Sequence, residues 1–207
     1  DGIFSKEGRG QALNKEILLS SYFHFDKALC SGCLKCVKIC PTKAIRLRHN
    51  HALQIVDHCI GCWECVRVCP TGALSAVTSE LKSLKKNKVS VVLVRPTLYA
   101  QFHTAMPTDV LSGLRQIGFQ HAMDMLDYIK IFQCATEAFI MRNRDTRQAP
   151  WPLISPYCPV VIYLIAVKFP SLLEHVLPIL RPVELMAREV KQGIVKEKGV
   201  KEEDVVL

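Results

Sequence analysis

C-S-G-C-L-K-C-V-K-I-C-P at residues 30–41 is answered by C-I-G-C-W-E-C-V-R-V-C-P at residues 59–70. Cys30, Cys33, Cys36 and Cys40 stand ahead of Pro41, and Cys59, Cys62, Cys65 and Cys69 stand ahead of Pro70 in the same spacing. The match runs on through T-K-A-I and T-G-A-L at a constant offset of 29 residues, Cys30 to Cys59, so the stretch is an internal duplication.

Three thiols spaced by two residues can wrap one face of an iron–sulfur cubane in a tight loop. The fourth stands too far along to close the same cluster and ligates the other one. The doubled run is therefore a bacterial ferredoxin signature for two [4Fe–4S] clusters. It assigns Cys30, Cys33, Cys36 and Cys69 to cluster I, and Cys59, Cys62, Cys65 and Cys40 to cluster II, so that each cluster staples both repeats. Gly32 and Gly61 fall where the loop must turn and let backbone N–H groups point at sulfide. Pro41 and Pro70 supply a fixed φ and no competing donor as the chain leaves the cluster. Structural zinc prefers two separated Cys pairs and four ligands per ion, which fits overlapping runs poorly. A disulfide framework fits less well still, because no secretory signal precedes these cysteines.

The chain has 207 residues, 49% hydrophobic, with ten cysteines, eight of them between residues 30 and 69. The first third is thus a cluster-held module and the remainder folds by ordinary burial. The formal charge of +8 counts no clusters; two oxidised cubanes at about −2 each bring the loaded chain to about +4. The run Lys82, Lys85, Lys86 and Lys88 lacks interleaved aromatics and reads as a solvated linker, so no nucleic-acid partner is expected. The longest apolar stretch, residues 160–167, is far shorter than the roughly 20 residues a membrane span needs. An anaerobic bacterial cytoplasm is the expected setting for oxygen-labile clusters.

The expected organisation is an N-terminal extension over residues 1–20, a 2[4Fe–4S] ferredoxin-type domain over 21–81, a Lys-rich linker over 82–88 and an α/β lobe over 89–207. Short strands are expected at 45–47 and 53–56 with Asn50 in the turn between them. In the lobe, the β-branched run Val89–Val94 reads as a buried parallel strand ending at Arg95-Pro96. Thr108 reads as the N-cap of a helix carrying Val110, Leu111, Leu114 and Ile117 on one face and stopped by Gly118. Residues 126–142 read as a longer helix with Leu126, Ile129, Phe132 and Phe139 on one side. Residues 153–155 are a candidate second core strand, Pro159 begins another helix, and Ser171 to Glu174 has capping-box spacing. The fold class is an α+β ferredoxin-like dicluster module followed by an α/β lobe with a largely parallel sheet.

Cys158 is the informative residue of that lobe. With Pro159 at the first helical position it caps a helix N-terminus, where the dipole and free N–H groups favour a thiolate. A lone cysteine in an apolar lobe is more often packing than chemistry, but its surroundings carry more. The stretch P-L-I-S-P-Y-C-P-V-V-I-Y-L-I-A-V-K-F-P resembles the first active-site motif of iron-only ([FeFe]) hydrogenases, where a serine and a C-C-P or A-C-P triplet lead into a helix and K/R-F-P follows. Upstream, V-L-V-R-P-T-L-Y-A-Q-F looks like the strand that carries A-P-A or A-P-S in that family, and a doubled ferredoxin module precedes it there too. The resemblance covers roughly residues 20–207.

That resemblance implies the reversible interconversion of dihydrogen with protons and electrons, on a lobe that is part of a hydrogenase catalytic domain. It makes Cys158 a ligand of the [4Fe–4S] part of a hydrogen-activating [4Fe–4S]-diiron cluster, and it sets Pro96 in the cluster pocket. Tyr157 stands where prototypical members have a proton-relaying cysteine, and a phenol relays protons less readily than a thiol near neutral pH. This departure resembles the divergent, sensory branch of the family, and Arg95 replaces a small residue beside Pro96. Three further cysteine ligands come from two later motifs in the family that these 207 residues do not contain. With the absent initial Met and an ending that looks like a helix exit entering a strand, the chain is expected to be a fragment at both ends. The resemblance also implies a redox partner protein of ferredoxin or flavoprotein type, and downstream sensor or catalytic segments. The alternative is a non-catalytic 2[4Fe–4S] electron carrier or a redox or hydrogen sensor whose α/β lobe is a docking module. Cys134 matches no motif and is expected in the core. Of the histidines only His58, adjoining Cys59, is placed to hydrogen-bond cluster sulfur.

Overall fold

The computed structural model describes residues 23–48, 52–55, 58–77, 89–144 and 149–207. The N-terminal extension, the turn at Asn50, the end of the expected strand at Val56 and the Lys-rich linker lie outside the described residues. The described residues divide into two compact units, one drawn from 6–78 and 152–176, the other from 79–151 and 177–207.

In the first unit the duplication is visible as exchanged pairing. The first repeat contributes β1 (Phe23–Phe25), α1 (Lys35–Ile39) and β2 (Ile45–Arg48); the second contributes β3 (Ala52–Ile55), α2 (Glu64–Arg67) and β4 (Leu74–Ala76). β1 pairs antiparallel with β4, Phe23 opposite Ala76, and β2 pairs antiparallel with β3, Ile45 opposite Ile55. Each two-stranded sheet thus takes one strand from each repeat. Isolated hairpins of this length are marginal in water, and the small core of Cys40, Ala44, Ile45, Cys65 and Leu74, with Phe23, Phe25, Val37 and Val66 packed on it, includes one cysteine from each repeat.

Residues 152–176 belong to the same unit. The strand expected at 153–155 is a single parallel bridge, Ile154 to Val176, fixed by the Ile154 N–H donating to the His175 carbonyl at 2.8 Å. Pro152 and Pro156 flank it without N–H groups to extend a ladder. Next come α6 (Pro159–Lys168), as expected from Pro159, and a 3-10 turn, Pro170–His175. That turn begins at Pro170 with Phe169 as its cap, not at a Ser171 capping box.

The second unit is built on a three-stranded, wholly parallel sheet. Its centre is β5 (Val89–Val94), the run identified from sequence, flanked by β6 (His121–Asp124) and β7 (Val205–Val206). β7 follows the 3-10 turn Glu202–Asp204, as the expected helix exit into a strand requires. Between β5 and β6 run α3 (Pro96–Tyr99) and α4 (Pro107–Ile117), then α5 (Leu126–Asn143) and α7 (Pro182–Lys198). α4 ends at Gly118 as expected, but Thr108 is not its cap. Pro107 occupies the first helical position, and the Asp109 carboxylate accepts the Met106 N–H at 3.0 Å. On α7, Met186, Val190 and Ile194 recur every four residues, one stripe of a 3.6-residue period. The stripe packs with Val89, Val91, Met125 and Val205 into one core. Each such burial contributes about 1.5–3 kcal/mol.

Candidate metal centres

Each cysteine loop is shaped by an alternation of left-handed residues. Gly32 (φ 69) and Leu34 (φ 60) bracket Cys33, and Gly61 (φ 66) and Trp63 (φ 62) bracket Cys62. Leu34 and Trp63 then cap the short helices that present Cys36 and Cys65. An L side chain in this region costs roughly 1–2 kcal/mol, a strain of the kind held at functional loops. It turns three successive thiols toward one hollow.

Two hollows result. One is lined by Cys30, Cys33, Cys36 and Cys69, with Leu34 and Phe25. The other is lined by Cys40, Cys59, Cys62 and Cys65, with Trp63 and Phe23. The Phe23 and Trp63 rings lie 4.5 Å apart. Each hollow gathers three thiols from one repeat and the fourth from the other. Among the described residues no group of three or more His, Cys, Asp or Glu side chains converges as a single metal ion would require; the thiols ring spaces instead. Four sulfur donors around one hollow fit an iron–sulfur cubane.

The thiols divide into two electrostatic classes. Burial, the largest effect, raises Cys36 and Cys59, and it carries Cys65, with the Cys59 charge beside it, up to about 11. Crowded thiolates repel one another, and a cationic iron core offsets that repulsion. The fourth cysteine of each run behaves oppositely. Burial opposes ionisation at Cys40, yet the Thr42 hydroxyl and nearby backbone amides outweigh it and hold the thiol below its ordinary range. At Cys69 burial is likewise outweighed, by the Leu74 amide and the Thr71 hydroxyl.

The geometry explains this. Thr42 Oγ1 lies 3.7 Å from Cys40 Sγ, and Thr71 Oγ1 lies 3.7 Å from Cys69 Sγ. The Ala44 N–H donates to Cys40 Sγ at 3.2 Å. These threonines were not singled out from sequence, although C-P-T recurs in both repeats and could have marked them. The sites differ in solvation: Cys40, Thr42 and Cys65 are buried, whereas Cys33 and Thr71 are exposed.

Cys158 is the N-cap of α6, exposed, with Pro159 at the first helical position. Its carbonyl accepts the Ile162 N–H at 3.3 Å. Tyr157 beside it is exposed, its N–H donating to Ser155 Oγ at 3.3 Å. Pro96 is the first residue of α3, capped by the exposed Arg95, and belongs to the other unit. His58 is exposed next to Cys59. Cys134, expected in the core, is exposed on α5, which buries Phe132. Two residues apart on a helix, they face in directions some 200° apart.

One further contact was not foreseen. The Tyr99 hydroxyl on α3 donates to Asp124 at the end of β6, whose other carboxylate oxygen accepts the Leu126 N–H at 2.5 Å. Tyr99 and Asp124 thus tie the turn that carries Pro96 to the carboxyl end of the neighbouring strand, the end at which open parallel sheets place their ligands. No helix among the described residues is long and apolar enough to cross a membrane.

Comparison with known proteins agrees with this picture at the level of family. Residues 23–70 match the 4Fe-4S dicluster domain. No curated protein matches the chain. A solved [FeFe]-hydrogenase, described for oxygen inactivation through modification and degradation of its H-cluster 2Fe subcluster, shares the fold with a TM-score of 0.53 at 22% identity. The likeness covers 61% of this chain and 35% of that one. Residues 88–207 match the family described as iron only hydrogenase large subunit, C-terminal domain. With more than half of its length in that match and a two-cluster [4Fe–4S] domain ahead of it, the chain belongs to the iron-only hydrogenase large-subunit family.

Proposed function

We propose that the chain relays electrons through two [4Fe–4S] clusters to or from a hydrogen-activating site, part of whose ligand set it supplies at Cys158. The observation that carries this reading is the pair of four-thiol hollows on the same chain as a hydrogenase-family lobe. Cys30, Cys33, Cys36 and Cys69 would hold one cluster, and Cys40, Cys59, Cys62 and Cys65 the other. When bound, such groups supply one-electron transfer, and a diiron cluster supplies the chemistry of dihydrogen. The residues position, solvate and tune. Gly32 and Gly61 allow the loops to close, Thr42 and Thr71 donate to ligand sulfur, and α6 presents Cys158 at its N-terminus. The domain limits proposed are 21–81 for the dicluster module and 89–207 for the lobe, and the setting proposed is an anaerobic cytoplasm.

A second reading is favoured by Tyr157. With a phenol in the place of the family's relaying thiol, the lobe would serve a sensing or docking role and turn over hydrogen slowly or not at all. The test compares the full-length protein, matured anaerobically, with its Cys158→Ala variant. Hydrogen-dependent dye reduction that vanishes in the variant while both ferredoxin-type clusters persist supports the first reading. Two-cluster redox behaviour without hydrogen turnover in the parent supports the second.

A further inference from the structure

The repeats are alike in cysteine spacing and unlike in charge. Residues 23–46 carry exposed Lys27, Lys35, Lys38 and Lys43, together with Arg46, against Asp26 alone. Among the described residues of the second repeat, 58–77, the charged side chains other than histidine are Glu64 and Arg67, and these pair with one another at 2.6 Å. At the 29-residue offset Lys35 corresponds to Glu64, Lys38 to Arg67 and Lys43 to Gly72. The module folds around either set, so the lysines are not a requirement of the fold.

Lys43 makes the point sharply. It holds φ 55 where the second repeat uses glycine at φ 68, keeping a charged side chain in a backbone region that disfavours it. Its Nζ donates to the Lys38 carbonyl at 3.4 Å, which sets it beside α1. Lys35 and Lys38 lie three apart on that helix, on one face, and Lys35 also lines the hollow of Cys30, Cys33, Cys36 and Cys69. Lys27 sits on the turn that delivers Cys30, whose N–H donates to the Lys27 carbonyl at 3.3 Å.

Amid these cations lie exposed apolar side chains: Leu29 at 51%, Leu34 at 42% and Ile39 at 40%. An apolar centre with a charged rim is the anatomy of a protein–protein contact. Beneath it is the more solvated of the two hollows, since among the eight ligand cysteines Cys33 alone is exposed. Electron transfer weakens steeply with distance, so a carrier gains most by docking where a ligand sulfur reaches the surface. Four lysines outweigh the charge of about −2 that an oxidised cubane brings, and the face remains attractive to anions.

We propose that this face of the first repeat, centred on Leu34 and Lys35, is the docking site of an acidic, single-electron carrier protein, and that electrons enter or leave the chain through the cluster held by Cys30, Cys33, Cys36 and Cys69. The proposal rests on the electron-transfer reading above. Its occupant follows from charge complementarity and from the one-electron chemistry of a cubane.

The test uses the full chain loaded with both clusters, follows their reduction in stopped flow by a reduced, acidic plant-type [2Fe–2S] ferredoxin and, separately, reads the extent of their reduction by excess dithionite. The triple variant Lys27→Glu, Lys38→Glu, Lys43→Glu is expected to lower the ferredoxin rate constant about tenfold or more at low salt and to flatten its salt dependence. Its extent of reduction by excess dithionite and its iron content stay unchanged. Lys130→Glu, the same charge reversal in the other unit, leaves the ferredoxin rate and the dithionite endpoint unchanged. If the triple variant binds less iron, Lys27→Glu and Lys38→Glu are read singly, each with an expected loss of about threefold. Unaltered ferredoxin rates beside normal dithionite reduction overturn the docking site alone. Clusters in the parent that dithionite fails to reduce overturn the electron-transfer reading itself. Tight binding of a mixed-sequence RNA, abolished by the same substitutions while ferredoxin rates hold, assigns the face to nucleic acid and overturns the proposal.

Discussion

Thr42→Val tests whether the hydroxyl beside Cys40 sets a reduction potential. Valine keeps the shape of threonine and removes one donor, so packing at this buried position is conserved while the contact to Cys40 Sγ at 3.7 Å is lost. A metal-bound thiolate only accepts, so the hydroxyl is the donor. A hydrogen bond to a charged partner contributes about 1.5–3 kcal/mol, and this long one belongs at the weak end. Reduction adds a negative charge that the donor stabilises, and about 0.5–1 kcal/mol of the bond responds to it. At about 1.4 kcal/mol and 59 mV per factor of ten for one electron, removal lowers the potential by roughly 20–40 mV. The Ala44 N–H at 3.2 Å remains, so the cluster should still assemble. An electron-paramagnetic-resonance redox titration of parent and variant reads the shift directly, and only one of two waves should move. Thr71→Val is the internal comparison: Thr71 is exposed, water takes over the lost donor, and the shift is smaller. A potential that stays put or rises in Thr42→Val, or an equal shift in both variants, would refute the reasoning.

Cys69→Ala should halve the bound iron yet leave Trp63 emission quenched, because Trp63 lines the other hollow; Cys40→Ala should halve the iron and release the emission. The opposite assignment in fluorescence would show that the fourth ligands are not exchanged. Gly72→Ala should destabilise the module by about 1 kcal/mol from backbone strain alone, since at φ 68 a Cβ meets nothing within 4 Å; chemical denaturation under anaerobic conditions measures it. Burial and the Asp124 carboxylate push the Tyr99 phenol up to about 12, above an unfolded value of about 10. That contribution to stability is complete below pH 10 and is lost as pH climbs toward about 12. Tyr99→Phe should remove this loss from the stability–pH profile, and an unchanged profile would count against the contact.

The cluster module was legible because metal ligation fixes sequence spacing more tightly than burial does. Cysteines three apart have few purposes, and the doubled C-P-T ending repeats the instruction. β5 was legible for a different reason: Val89–Val94 is apolar enough to be buried on both faces. β6 was not, because H-A-M-D has no β-branched residue and owes its strand geometry to pairing with Val91–Val94 across the ladder. Helix starts were misplaced wherever a hydroxyl was preferred to a neighbouring proline. Pro96, Pro107, Pro159, Pro170 and Pro182 all take the first position of a helical segment, since a ring-fixed φ and a missing N–H suit that site alone. Thr108 and Ser171 lie one residue inside. Cys134 was misread because its helix buries less than its apolar content suggests.

The exchange of strands and of fourth ligands between the repeats bears on origin. A single ancestral copy, with one C-x2-C-x2-C-x3-C-P run, offers three thiols to its own hollow and sends its last elsewhere. Its strands would lack partners as well, since β1 needs β4 and β2 needs β3. Such a peptide completes a ligand shell only by meeting a second copy of itself, as a symmetric pair sharing two clusters. Joined in one chain, the two copies make that association intramolecular instead of dependent on concentration, and leave each half free to differ from the other. The lysines of one half and the Glu64–Arg67 pair of the other are such a difference.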